Sequence, residues 1–239
     1  SWGVSWRLIL LLAGVLALVP ALLFLLPSRG ARHPDKPEKL HWTTVWGHAT
    51  TLMKQPRFWL FFAAMVLAGG GEFCLTFWVS SFIRIDYAGS PWLGGLGTAV
   101  FAGGMIVGRM VSGFLVSQQR LRDLILWMAG AGTLLALFPP LLHSIWILFV
   151  LLFFIGIATG PFWPSIQSYC VDRIPGDSTM IYILLSCAGV PGCGLFAWLM
   201  GVAGDHFGLR ASFFLVPGCF VLLGALLAIE WLLPRRERR

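Results

Sequence analysis

Charge is what this sequence has least of. Only 11% of its 239 residues are charged, where a soluble domain carries about 25%. Acidic residues are scarcest, ten against 17 Lys and Arg. With 58% apolar residues and a mean hydropathy of +0.83, a water-soluble globular fold is excluded. Enzyme signatures are missing too. There is no GxxxxGK[ST] phosphate loop, no HExxH and no GxSxG, so no enzyme and no cofactor is expected. The five cysteines (Cys74, Cys170, Cys187, Cys193 and Cys219) are scattered and odd in number, which speaks against a zinc site or a disulfide framework. They read as small apolar packing residues. The net charge of +7 forms no basic face interleaved with aromatics, so nucleic acid is not an expected partner.

What is present is apolar length. Seven segments of spanning size can be drawn: Leu8–Leu26, Phe58–Ile83, Trp92–Val116, Leu124–Leu142, Ile145–Cys170, Thr179–Ala203 and Ala211–Leu233. The expected fold class is therefore an all-α membrane protein, a polytopic helical bundle with the lipid bilayer as its first partner. Arg7–Leu26 is too long for a signal-peptide core and lacks a cleavage site. With no initial methionine, the chain reads as a fragment whose first helix belongs to a longer protein.

The basic residues divide by side. Arg29, Arg32, Lys36, Lys39, Lys54, Arg57, Arg120, Arg122, Arg173, Arg235, Arg236, Arg238 and Arg239 fall in one set of connections; Arg7, Arg84 and Arg210 fall in the other. The positive-inside rule makes the first set, and the C-terminus, cytoplasmic, in a multi-pass protein of the cell inner (plasma) membrane. The connection Pro27–Gln55 has too few apolar residues for a core and reads as a linker. Within it, Leu40–Met53 suits an amphipathic surface helix with Trp42, Trp46 and Met53 turned to the membrane. His33, His41 and His48 lie near Asp35 and Glu38, but no pair has the i, i+4 spacing of a helical metal site, and no metal is expected.

An internal echo points to function. Gly3-Val4-Ser5-Trp6-Arg7, an apolar run and Pro27-Ser28-Arg29 are answered by Gly208-Leu209-Arg210, an apolar run and Pro234-Arg235-Arg236. A start and stop repeated six spans apart suits a transporter of two six-helix halves.

Six stretches carry a resemblance. Gly108-Arg109-Met110-Val111-Ser112-Gly113-Phe114-Leu115 followed by Arg120-Leu121-Arg122 resembles the cytoplasmic signature between helices eight and nine of the major facilitator superfamily. Gly201-Val202-Ala203-Gly204-Asp205-His206-Phe207-Gly208-Leu209-Arg210 resembles its junction of helices eleven and twelve. Pro56-Arg57-Phe58-Trp59, Gly70-Gly71-Glu72, the run Phe101–Arg109 and Gly160-Pro161-Phe162-Trp163-Pro164-Ser165 are most similar to the fucose permease-like sugar:proton symporters.

The resemblance implies seven helices, six to twelve, of a twelve-helix two-bundle fold. Residues 1–27 would be the last helix of the N-terminal bundle, 28–56 a cytoplasmic linker, 57–234 the C-terminal bundle and 235–239 a basic tail. It implies alternating access, with a small-molecule solute, protons and the missing N-terminal bundle as partners. It also implies a cytoplasmic gate at Gly108, Arg109, Gly113, Arg120 and Arg122. Ser117-Gln118-Gln119 stands where that signature usually has an acidic residue. An exporter or organic-anion carrier of the same superfamily, or a non-transporting receptor or sensor on that scaffold, are the alternatives.

Candidate site residues begin with Glu72, an ionisable group deep in an apolar run behind Gly69-Gly70-Gly71. Those glycines let another backbone approach, or let the helix bend or unwind. Glu72 is a solute-hydroxyl acceptor or proton carrier, or else a buried structural carboxylate. Arg109, the other charge within a span, snorkels or binds helix-end carbonyls and an acidic partner. Thr76 shares the Glu72 face at i+4. Trp78 is a sugar-stacking ring or an interfacial anchor. Trp163 matches, by the resemblance, an aromatic that lines the cavity, with Gln167 at i+4 on its face; Tyr182 and Ser186 form a weaker pair. Gly104–Gly108, Gly156–Gly160 and Ala197–Gly201 have close-packing spacing. Pro161, Pro164 and Pro191 are expected to kink their helices and free backbone carbonyls.

Overall fold

Helix α3, Pro56–Asp86, runs unbroken for 31 residues, about 46 Å at 1.5 Å per residue. It is the most buried element in a computed structural model that describes residues 6–25 and 42–233. The chain divides into two units, 1–40 and 41–239. The first contains α1, Trp6–Leu25, with Pro20 inside it. The second contains α2 (Trp42–Met53), α3, α4 (Pro91–Leu115), α5 (Leu121–Ala136), α6 (Ile145–Thr159), α7 (Phe162–Arg173), α8 (Ser178–Phe207), the single turn α9 (Leu209–Ser212) and α10 (Leu215–Leu232).

Six stretches are helical, long and apolar enough to cross a membrane: Pro56–Asp86, Pro91–Leu115, Gln118–Leu141, Ile145–Arg173, Ser178–Phe207 and Leu209–Leu232. They correspond to six of the seven expected segments. The first expected segment is the 20-residue α1, whose apolar part, Leu10–Leu23, is shorter. The fold is a polytopic helical bundle. Helix ends follow local chemistry. Ser90 Oγ caps α4 ahead of Pro91 at its first position. Asp177 Oδ1 accepts from Met180 N at 2.7 Å to start α8. Gly208, at φ 85°, ends α8 in a conformation that suits glycine.

Within the second unit α3 packs on α8, α10 and α4, and α4 packs on α6. Glycine sets these approaches. Gly104 and Gly108 of α4 meet the Phe153 and Ile157 backbone of α6, and Gly156 and Gly160 meet the Phe101 and Met105 carbonyls in return. Helix α3 is not unwound at Gly69-Gly70-Gly71. A Cβ at Gly69 would lie 2.7 Å from the Gly189 carbonyl oxygen, while Gly70 accommodates the Phe196 ring and Gly71 the Phe220 ring. Of the two expectations for this triplet, close approach holds.

Within the span Ile145–Arg173 the helix divides into α6 and α7 at Gly160-Pro161, where Pro161 is expected to kink it, and α8 carries Pro191 inside it. Two details differ from the sequence expectations. In α2, Trp42 and Trp46 are exposed, but Met53 packs against the core beside buried Leu52 and Ala49. Four cysteines are buried, whereas Cys187 is exposed on α8. Residues 1–5, the linker through His41 (with His33, Asp35 and Glu38) and the basic tail 235–239 lie outside the described residues.

Candidate functional site

Pro164 lies in the first turn of α7 and has no N–H, so the Gly160 carbonyl four residues earlier receives no helical hydrogen bond from it. Arg109 of α4 fills that vacancy: its Nε donates to Gly160 O at 3.0 Å. The close α4–α6 packing through Gly108 and Gly160 brings the guanidinium within reach. Its other end meets α3, with Arg109 Nη2 at 3.6 Å from Glu72 Oε1. Arg109 thus holds a helix-end carbonyl and an acidic partner, the second of its two expected behaviours.

The pair is unequal. The Glu72 side chain is 11% exposed and that of Arg109 48%. Trp163, one residue before Pro164, brings its indole N–H near the Glu72 carboxyl without reaching hydrogen-bond geometry. Glu72 Oε2 and Trp163 Nε1 are both buried, with no hydrogen-bond partner among the described residues. A buried carboxyl oxygen without a donor is costly, on the order of 1–3 kcal/mol, and is a place where a proton or a solute hydroxyl lowers the energy.

The polar strip continues along the α7–α8 seam. Trp163 packs its ring over Gly189, where any Cβ would collide with it. About one turn along α7 from Trp163, Gln167 Nε2 donates to Ser186 Oγ at 2.8 Å. Two candidates that the sequence placed on separate segments are bonded partners. Tyr182, on the same helix as Ser186, is exposed.

Other candidates lie elsewhere. Thr76 turns its hydroxyl back to the Glu72 carbonyl at 2.9 Å. Trp78 donates its indole N–H to Ala197 O at 2.9 Å and lies over Gly201, in the α3–α8 packing. Among the gate residues, Gly108 is buried against the Ile157 backbone, but Gly113 has open space where a side chain would go. Arg120 is exposed in a 3-10 turn. Arg122 pairs with Asp123 and stacks on Trp231 at 5.1 Å. Gln118 donates to Ser168 Oγ and to Asp172 Oδ2, each at 2.8 Å, tying that turn to α7.

A buried cluster escaped the sequence reading. Glu230 of α10 has no exposed surface and receives Arg173 Nε at 3.0 Å and the Tyr169 hydroxyl at 2.8 Å. Arg57 Nε lies 3.1 Å away. The signal was an ionisable residue within the last apolar segment, so Arg109 is not the only charge to accompany Glu72 in a span. At the opposite helix ends, Arg210 pairs with Asp86 at 3.2 Å and donates to the Pro140 and Leu142 carbonyls. Tyr87 donates to Leu142 O at 2.8 Å beside it.

The sequence profile of the Major Facilitator Superfamily matches residues 119–239, from the turn before α5 onward. Trp163, Gln167, Ser186 and Glu230 fall within the matched stretch; Glu72 and Arg109 precede it. No curated protein matches the sequence.

Proposed function

The chain belongs to the major facilitator superfamily, and from that membership we propose that it moves a small polar solute, in the first place a sugar, by alternating access with proton coupling. Membership makes it a multi-pass membrane protein and a secondary transporter of the superfamily rather than an enzyme. In the proposal, 57–234 is one of two bundles and its basic end faces the cytoplasm of the inner membrane. Gly108 and Arg109, with the Arg122 and Gln118 contacts, sit at the cytoplasmic gate.

The observation that supports this reading is the Glu72–Arg109 pair beside Trp163. Arg109 is anchored on Gly160 O, so its charge stays near Glu72 whether or not the carboxyl is ionised. Proton uptake at Oε2 gives that oxygen a hydroxyl and Glu72 a donor to offer; proton loss restores the full ion pair. One carboxyl thereby links protonation to the polarity of the strip. The Trp163 ring supplies an apolar face and the Gln167–Ser186 pair supplies donor and acceptor edges, which together suit a sugar.

The test is uptake by the full-length protein in vesicles, with an imposed proton gradient and a broad sugar panel. Accumulation of no sugar would sink the reading. Arg109 also favours a second one: with Glu72 protonated, a guanidinium about half exposed is available to an organic anion. An organic-anion panel in the same vesicles separates the two, and so does the direction of transport.

A further inference from the structure

The basic end of the second unit holds a cavity of about 420 Å³ lined by Gln119, Arg122, Tyr169, Arg173 and Trp231. These residues come from the 3-10 turn Gln118–Arg120, the start of α5, the end of α7 and the end of α10. The cavity is separate from the Glu72 strip and shares no residue with it. Among the described residues no carboxylate lines it. Two carboxylates adjoin it, and each holds one edge of an arginine. Asp123 takes Nε and Nη2 of Arg122, and Glu230 takes Nε and Nη2 of Arg173. Among the described residues neither Nη1 has a protein acceptor, and the Gln119 amide has none either. The guanidiniums are also held by rings, Arg122 over Trp231 at 5.1 Å and Arg173 over Tyr169 at 5.4 Å.

Preset donors without acceptors around such a space call for an anion with several oxygens. Phosphate fits, because a guanidinium fork matches two of its oxygens at once. Trp231 argues for the source. It is 55% exposed in the last turn of α10, next to Leu232 at 74%. An indole and an aliphatic chain exposed at the end of a span belong at headgroup depth, where the phosphates are those of lipids. Basic pockets between helices at that depth take anionic headgroups. We infer that this cavity binds the phosphate of an anionic phospholipid, whose acyl chains run along Trp231 and Leu232.

Native mass spectrometry of the full-length protein, exchanged into mixed phosphatidylglycerol and phosphatidylcholine, tests this. Phosphatidylglycerol should be retained preferentially, on the order of fivefold per arginine engaged. Arg122→Gln should reduce the preference and Arg122→Lys keep part of it, while Arg120→Gln, outside the lining, keeps all of it. Arg122→Gln leaves the Arg173–Glu230 pair intact, so the bundle is not deprived of a buried counter-charge. Equal retention of the two lipids, or equal loss in Arg120→Gln and Arg122→Gln, overturns the inference. Displacement of the bound lipid by millimolar inorganic phosphate also overturns it, in favour of a soluble phosphate.

Discussion

Arg109 Nε and the Gly160 carbonyl oxygen are 3.0 Å apart, in a bond that exists because Pro164 has no N–H to offer that oxygen. The same guanidinium faces Glu72 at 3.6 Å, so one side chain joins α3, α4 and the α6–α7 break. A lysine cannot reproduce this, since it has one point charge and no planar fork. Arg109→Lys is expected to lower solute uptake by about tenfold or more, equivalent to roughly 1.4 kcal/mol of lost stabilisation. Uptake normalised to protein in the vesicles checks it; wild-type rates would contradict it.

Glu72→Gln removes the titratable group and leaves Arg109 without its counter-charge. Because Arg109 is about half exposed, the stability cost should be modest, about 1 kcal/mol. Proton-driven accumulation should be lost, while solute exchange in the absence of a gradient continues. Parallel uptake and counterflow assays distinguish a coupling role from a structural one, in which both rates would fall together.

Gln167 and Ser186 bond to each other at 2.8 Å, so their effects should not add. Gln167→Ala and Ser186→Ala are each expected to raise KM several-fold with little change in melting temperature, and the double variant should resemble either single one. A double-mutant cycle on KM provides the measurement. Strict additivity would show that the pair does not act together.

Two glycines of the gate motif should behave oppositely. Gly108→Ala drives a methyl into the Ile157 backbone and should cost about 1–3 kcal/mol. Gly113→Ala meets nothing within 4 Å and should be neutral or stabilising by up to about 1 kcal/mol, from helix propensity. Thermal unfolding in detergent compares them.

Glu230 is completely buried among Arg173, Arg57 and the Tyr169 hydroxyl. Glu230→Ala strands buried positive charge and is expected to cost about 3–5 kcal/mol. Tyr169→Phe removes one hydrogen bond to a charged acceptor and should cost about 1.5–3 kcal/mol. The same melting assay ranks them; equal losses would mean that the hydroxyl, not the charge, holds the cluster.

Particular residues show how much of this was legible beforehand. Glu72 and Arg109 stood out because an ionisable group in an apolar run is conspicuous without any partner in view. Their pairing did not, because it depends on how far α3 and α4 are rotated toward each other. The contact of Trp78 with the small Ala197–Gly201 face of α8 was likewise out of view, because it depends on how α3 and α8 pack. Glu230 was overlooked near the end of its segment, where a charge normally reaches water; Arg57 and Arg173, distant in sequence, enclose it instead.

Span number, span length and the asymmetry of basic residues belong to the sequence by itself, because hydropathy and helix rise are local properties that add along the chain. The break at Gly160-Pro161 and the close-packing faces of α4 and α6 are written there as well, in residues whose backbone chemistry is the same in any context. Which polar groups meet is another matter. The contacts of Arg109 with Gly160 and Glu72, of Gln167 with Ser186, and of Glu230 with its arginines arise only when the helices pack. Helix rotation and depth are set by the fit of whole faces, and no short stretch of sequence contains that fit.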